Sequence, residues 1–570
     1  MRRLLLIGLL VGLSLPTLAA RPTPPTRATD VAKNTVRRHL IYFRDKTGTP
    51  FSTSRPEEFL SGRALQRRQR QQITVLPRDL PVSPGYVQQV KSVPGVQLWY
   101  TSRWFNAAIV ACDSVTLAQV QALPFVLSAR TLNRGQAGGS PQPKTAPAAP
   151  APAEQTTADR SQYGRAYAQV KQVGAERMHA AGFRGEGLQI AVFDAGFTGV
   201  NTASVFASMF TENRLLSTFN VVEKSPSVFQ RNSHGTQCLS ILAADEPGRF
   251  VGTAPKASFL LFITEDDVNR SEHPIEEVNW LVAAEYADSA GVDIISSSLG
   301  YNTFDAPSPS YSYADMNGRT ALSTRAAAVA ARVGMLVVNS AGNEGNRSWR
   351  HVLAPADADS IMTVGAADSL GVVGSLSSRG PTADGRLKPN LSAMGVATAI
   401  VNPSGSISRG DGTSFACPVL AGMAAGFWQA NPRLTAQQVI TLLQRSGSQA
   451  TAPDNNLGYG IPDFVRAYNL ANPGTPLSTA AARGLAGGMY AYPNPVEAGE
   501  PLYLQLPAGL GTGGLEIRIY DARGALVASQ QVAPAVTGVV RLETAALRSG
   551  VFTCLIGQGL QQQAVRFVKR

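Results

Sequence analysis

The central part of this 570-residue chain predicts an α/β fold built on a doubly wound, mostly parallel sheet. Three observations predict it. Short apolar runs recur at Leu188–Phe193, Phe259–Phe262, Val292–Ser296, Met335–Asn339 and Ile361–Gly365. Amphipathic stretches such as 275–289 and 321–333 lie between several of them. The runs are apolar throughout rather than alternating, the pattern of strands covered on both faces. Sheets of this kind carry reactive residues at strand ends and on the adjoining loops.

The flanks read differently. Arg2 and Arg3 precede an apolar run from Leu4 to Leu15, and Thr17 and Ala19 place small residues at a cleavage position. Residues 1–20 therefore read as a cleaved signal peptide, with a membrane anchor as the alternative; the run is short for a span. Residues 21–133 form a first unit, α/β from residue 37. It has a strand at Leu40–Phe43, a helix over 56–70, a strand from Trp99 to Cys112, a helix at Thr116–Leu123 and a strand at Phe125–Ala129. Residues 134–160 are Gly, Pro, Ala, Gln and Thr for the most part, too polar and too small to offset their ordering entropy. They read as a linker open to proteolytic nicking. The α/β domain spans 161–471, a second Pro/Gly/Ala-rich joint spans 472–488, and 489–570 reads as a small β-sandwich. Its strands are expected at Leu502–Leu506, Leu515–Tyr520, Ala525–Val532 and Val551–Ile556.

The formal net charge of +12 does not describe a nucleic-acid binder. Residues 21–160 carry 19 Lys+Arg against 8 Asp+Glu, and the leader adds two Arg; residues 161–570 carry 30 against 31. The basic excess thus lies in the segments expected to be removed, whereas a nucleic-acid footprint has to persist in the working protein. The four cysteines, Cys112, Cys238, Cys417 and Cys554, are too scattered for a disulfide scaffold or a zinc site.

Chemistry is sought first among the five histidines. His39 lies in the N-terminal unit, His179 in a polar helix, His273 in a charged loop and His351 before an apolar loop. His234 stands apart in NSHGTQCLSILAA: Asn232 or Ser233 can cap a helix that it opens, and Gly235 admits a second chain closely. A histidine there is placed to act as a general base, although a structural histidine shares the pattern. Ser414, in GDGTSFACPVLAGMAAGF, opens a small-residue helix, with Pro418 expected in its first turn. The positive helix end and nearby N–H groups suit an oxyanion; an N-cap serine is the plain alternative. Asp194 ends the apolar run in LQIAVFDAGFTG, where a carboxylate can orient an imidazole, serve a turn or bind a metal. Asn343, in MLVVNSAGNEG, offers a side-chain amide among glycines.

Singly these signals are weak; together they occur in the order Asp, His, Asn, Ser. The segments VFDAGFTG, NSHGTQCLSILA, SSSLG, NSAGNEG and GTSFACPVLAG resemble those of the subtilisin-like serine proteases over roughly 161–471, and the triad order is that of subtilisin. The resemblance implies Asp194, His234 and Ser414 as a catalytic triad and Asn343 as an oxyanion donor. It implies Ser298, Leu299 and Gly300 as an edge strand that pairs with substrate backbone, with Gly342 also at the substrate. No cofactor is needed for such chemistry; a structural calcium is left open, since no Asp/Asn/Gly loop reads as a convincing site for one. Phe415 stands where better-known members carry Met, which removes a readily oxidised thioether. Residues 301–319 read as a long polar loop beside the cleft. Cys238 and Cys417 each lie a turn beyond a triad member, so they are expected either to be joined or to remain buried thiols.

The 37–133 unit resembles subtilase propeptides in position and α/β pattern, with a separate binding module as the alternative. The tail segments YPNPV (492–496), IYDARGALV (519–527), LRSGVFTCLI (547–556) and RFVKR resemble the C-terminal sorting domain of type IX secretion substrates of Gram-negative bacteria. An adhesive or carbohydrate-binding sandwich is the alternative. The expected protein is a secreted or cell-surface endopeptidase acting on proteins or peptides, made as a zymogen. Its other partners would be its own propeptide and the outer-membrane secretion machinery, and not nucleic acid. A catalytically silent surface adhesin on the same frame is the rival.

Overall fold

The computed structural model describes residues 35–132, 160–267, 272–477, 490–492, 494–497, 499–505, 515–532, 539–558 and 561–570. The expected signal peptide at 1–20, and most of the linkers at 134–160 and 472–488, lie outside them.

Four strands open the chain: β1 (Arg37–Phe43), β2 (Gln97–Ser102), β3 (Ala107–Cys112) and β4 (Val126–Thr131). They pair antiparallel in the order β2-β3-β1-β4. The run from Trp99 to Cys112 is a hairpin rather than one strand. It turns at 103–106, where Asn106 adopts φ 50°, a conformation Asn tolerates better than most residues. The helix expected over 56–70 is broken into a turn at Pro56–Glu58 and α1 (Gly62–Arg70). Ser61 starts α1 by accepting from the Ala64 N–H. A helix at Pro84–Ser92 (α2), begun by a proline, was not expected; α3 (Ser114–Gln121) was.

Seven parallel strands form the large sheet: β5 (Gln189–Asp194), β6 (Leu215–Asn220), β7 (Ser258–Ile263), β8 (Ile294–Ser297), β9 (Leu336–Ser340), β10 (Met362–Ala367) and β11 (Leu391–Met394). Their order is β11-β10-β9-β8-β5-β7-β6. Alternate residues face opposite sides. Ile190, Val192, Ile294, Leu336 and Val338 pack with α4 (His234–Ala243) and α7 (Thr413–Ala430). Ala191, Phe193, Ile295 and Val337 pack with α5 (Ile275–Ala290) and α6 (Leu322–Arg332). Both faces are covered, which is why the strand sequences carry no polar alternation. SSSLG is not an edge strand: β8 sits between β5 and β9, and Ser298–Gly300 leaves its C-terminal end.

The N-terminal sheet lies on α5 and α6. Leu40, Ile109 and Leu132 join their core, while Ile41, Ala108 and Val110 face the unit's own helices. This explains why every residue of β3 is buried. The end of α5 carries Glu285 and Asp288 and no base in its last turn, which the helix dipole disfavours. The N-terminal unit supplies the missing partners. Glu285 accepts from the N–H groups of Arg103 (3.0 Å) and Trp104 (3.1 Å). Asp288 is buried among Arg67, Arg68 and Arg103, with two 2.9 Å bonds from Arg68. The 301–319 loop also reaches this unit, its Tyr311 hydroxyl lying 3.4 Å from Arg130.

The tail is a sandwich of a three-stranded and a four-stranded antiparallel sheet, closed over Leu502, Leu504, Ile517, Ile519, Val540 and Ile556. No helix among the described residues is long and apolar enough to cross a membrane.

Candidate active site

Asp194 is the last residue of β5 and is fully buried. Its Oδ1 accepts from the Ala195 N–H at 2.8 Å. His234 opens α4, and its N–H is capped by Asn232 Oδ1 (2.9 Å), not by Ser233. The imidazole Nδ1 lies 2.9 and 3.0 Å from the two Asp194 oxygens. With a carboxylate there, Nδ1 carries the proton and Nε2 is left as the basic nitrogen. Gly235 makes the approach possible: a Cβ on it would stand 2.4 Å from the Gly196 carbonyl oxygen and 2.9 Å from Asp194 Cβ. Burial, the largest single influence, lowers the His234 pKa; the Asp194 carboxylate and, after it, Cys238 together outweigh it and hold the group well above 6.5.

Ser414 is the second residue of α7 and is 7% exposed. Pro418 falls in the second turn of this helix, not the first, because the helix already begins at Thr413. Proline has no N–H to give, so the Ser414 carbonyl has no partner within the helix. Ser298 Oγ donates to it at 2.8 Å, and the Cys238 thiol at 3.4 Å. The proline thereby ties the serine to the end of β8 and to α4. The Ser414 hydroxyl donates to the Ser298 carbonyl (3.4 Å) rather than to His234.

Asn343 follows β9. Its Oδ1 accepts from the Thr413 N–H (2.9 Å) and hydroxyl (3.0 Å). A backbone N–H can face only an acceptor, so the amide orientation is fixed and Nδ2 is the end left unbonded among the described residues. Thr413 Oγ1 also receives the Gly342 N–H at 3.2 Å. Asn232 was read from the sequence as a candidate cap, whereas the roles of Thr413 and Pro418 were not recognised as parts of this arrangement. Their signal was adjacency to Ser414, and it acquires meaning only once their partners are in place. Asn339 Nδ2 donates to the Leu299 carbonyl (3.0 Å), while Gly300 takes no backbone bond among the described residues.

Cys238 Sγ packs beside the His234 ring, 3.8 and 3.9 Å from its nitrogens, and Cys417 Sγ points at the carbonyls of Ser297 and Val338, both at 3.5 Å. Both are free thiols. Burial pushes Cys417 up to about 12 and also raises Cys238, so both stay protonated. Among the described residues, two groups bring donor atoms within 4.8 Å of one another: Asp194, His234 and Cys238, and Glu265, Glu272 and Glu276. In the second, Glu265 accepts from the Tyr301 hydroxyl (2.6 Å) and Glu276 Oε1 from the Asp266 N–H (2.9 Å).

The other histidines have structural partners. His179 is buried rather than on a polar face, between the Tyr163 hydroxyl (3.1 Å) and the Thr253 carbonyl (3.0 Å), and burial pushes it down to about 4. His39 contacts Thr131 and the Cys112 carbonyl, His351 stacks on Tyr313 at 3.9 Å, and His273 lies 3.4 Å from Ser308 Oγ.

Comparison with known proteins agrees along the length of the chain. Residues 185–460 match the Subtilase family, 38–145 the Peptidase S8 propeptide domain of Bacteroidota, and 490–570 the Secretion system C-terminal sorting domain. Serine protease AprX of Bacillus subtilis (strain 168) is 29% identical over 303 residues, 48% of this chain and 64% of that protein. Subtilisin E of the same organism is 29% identical over 295 residues, 51% and 68% of the two chains. Subtilisin DY of Bacillus licheniformis is 28% identical over 292 residues, 50% and 92%. The chain thus spans about two thirds of the length of the first two. The sorting domain marks the chain for the cell surface or the medium. With its parallel sheet between a peptidase S8 propeptide domain and a sorting tail, the chain carries a subtilase (peptidase S8) serine protease domain.

Proposed function

We propose that the chain is the precursor of a secreted serine endopeptidase in which Asp194, His234 and Ser414 form the triad and Asn343 donates to the oxyanion. The observation that carries this reading is the His234 imidazole held by both oxygens of a buried carboxylate, with its ring 5.8 Å from that of Phe415, the residue after Ser414. Once the Ser414 hydroxyl turns from the Ser298 carbonyl to Nε2, His234 takes its proton as Oγ attacks a peptide carbonyl. Catalytic hydrogen bonds of this kind often tighten only when substrate binds. Asn343 Nδ2 and the Ser414 N–H stabilise the tetrahedral oxyanion. His234 then protonates the leaving amine, and water releases the acyl-enzyme. Asp194 keeps the imidazole in the Nδ1–H form and stabilises its cation. No cofactor enters these steps.

Substrate backbone would pair with Ser298–Gly300, where Gly300 has unused groups, and pass Gly342. The N-terminal unit, 21–133, would hold the protease as a zymogen until the 134–160 linker is cut. The 489–570 tail would be read by a type IX outer-membrane apparatus. A phosphonate or sulfonyl fluoride is expected to label Ser414 in the secreted protein, and the unlabelled protein to digest casein. A folded protein that takes no label and leaves casein intact would overturn the proposal in favour of a silent adhesin.

A further inference from the structure

The peptidase reading implies a direction for the residue that contributes the scissile carbonyl. With that carbonyl between Ser414 Oγ and Asn343 Nδ2, and the substrate backbone along Ser298–Gly300, this residue's side chain enters a gap between two stretches of backbone. One follows β8 and carries Gly300; the other follows β9 and carries Gly342.

Leu353 occupies the gap. A Cβ placed on Gly300 would lie 2.8 Å from Leu353 Cδ1 and 3.0 Å from its Cβ; one placed on Gly342 would lie 2.6 Å from Cγ and 2.9 Å from Cδ1. Non-bonded carbons rest at about 3.5–4.0 Å, so the isobutyl group already fills the space from wall to wall. It is also held there. The Leu353 N–H donates to the Ala341 carbonyl at 3.1 Å. The next residue, Ala354, exchanges both backbone bonds with Tyr301, at 3.1 and 2.7 Å. The leucine is thus tied to both walls through its own backbone, and only 8% of its surface is exposed.

We propose, on the basis of the peptidase reading, that Leu353 determines specificity by closing this pocket to large side chains, so that cleavage follows Gly, Ala and Ser. A methyl or hydroxymethyl group fits above a buried leucine. A benzyl or isobutyl group would have to expel one whose backbone is bonded on both sides, and close-packed interiors resist such displacement.

The test uses the secreted, processed enzyme with its active sites counted by a small dialkyl fluorophosphate, which needs no side-chain pocket. Peptides differing only in the residue before the scissile bond give kcat/KM for Ala and Phe, and mass spectrometry maps the cuts in casein. Wild-type protein is expected to cut after small residues and to favour Ala over Phe by at least about 10-fold. Leu353→Ala and Leu353→Gly should shift that ratio toward Phe by about 10–200-fold, the range one pocket can discriminate. A wild-type map dominated by Phe, Tyr or Leu overturns the inference while leaving the peptidase reading intact. So does a ratio unchanged within threefold in titratable variants. Should neither variant fold, the wild-type map decides. Absence of both Ser414 labelling and cleavage would overturn the underlying reading and this inference with it.

Discussion

Replacing Asp288 by Asn should release the N-terminal unit from the protease domain while leaving the domain itself intact. Asp288 is buried and accepts from three guanidinium groups, of which Arg67 is 0%, Arg68 2% and Arg103 8% exposed. Removing one partner of a buried ion pair costs about 3–5 kcal/mol, because the charge left behind stays desolvated. Here part of the loss is recovered. Arg67 keeps the carbonyls of Val292 and Val333, and Arg103 keeps that of Glu285. Arg68 is left with Asp79 at 3.9 Å. The low end, about 3 kcal/mol, corresponds to about 100-fold weaker binding. Titration calorimetry of the 21–133 unit into a Ser414→Ala protease domain, with and without the substitution, measures it. Without the N-terminal unit Asp288 faces water at the end of α5, where a negative charge is unfavourable. The isolated domain should therefore keep its Tm within about 2 °C. A change in Kd below threefold, or an equal loss of stability in the isolated domain, would refute the reasoning.

Asn343→Ala should lower kcat by about 100–1000-fold with little change in KM, since the amide acts on charge that develops only in the transition state; a loss confined to KM would contradict the assignment. The acid limb of kcat/KM should lie above pH 6.5: His234 must be neutral to accept a proton, and Asp194 raises its pKa, so activity is lost as pH falls through that raised value. In Asp194→Asn the limb should move down and the rate should fall by about 10⁴-fold; an unshifted limb would argue against the pair. Cys238 and Cys417 should both alkylate freely in the unfolded, unreduced mature protein, as their separate partners require. Mass spectrometry showing them joined would overturn that.

Much of the fold was legible because parallel strands covered on both faces leave a local trace. The five apolar runs became β5, β7, β8, β9 and β10 with shifts of a residue or two. The less apolar β6 and the four-residue β11 left no comparable trace. In the N-terminal unit, periodicity could not separate a hairpin from a long strand, because the turn at 103–106 carries the buried Trp104 and Phe105 and the strand after it is apolar throughout. His179 looked polar in a short helix whose neighbours are charged, yet its ring is satisfied in the interior by Tyr163 and Thr253.

By itself the sequence determined the reactive groups and their order along the chain: a carboxylate ending a strand, an imidazole and a hydroxyl opening helices, and an amide among glycines. These are local matters of residue type and element boundary. Only the tertiary structure decided what each group faces. It set both Asp194 oxygens on one imidazole, turned the Asn343 amide by bonding its oxygen to Thr413, and passed the carbonyl freed by Pro418 to Ser298 and Cys238. It also placed Leu353 between two glycines more than ten residues away and gave the acidic end of α5 its arginines from another unit. Hydrogen bonds, ion pairs and steric contacts act over a few ångströms of space, and the groups they join here stand from eleven to more than two hundred residues apart in the chain.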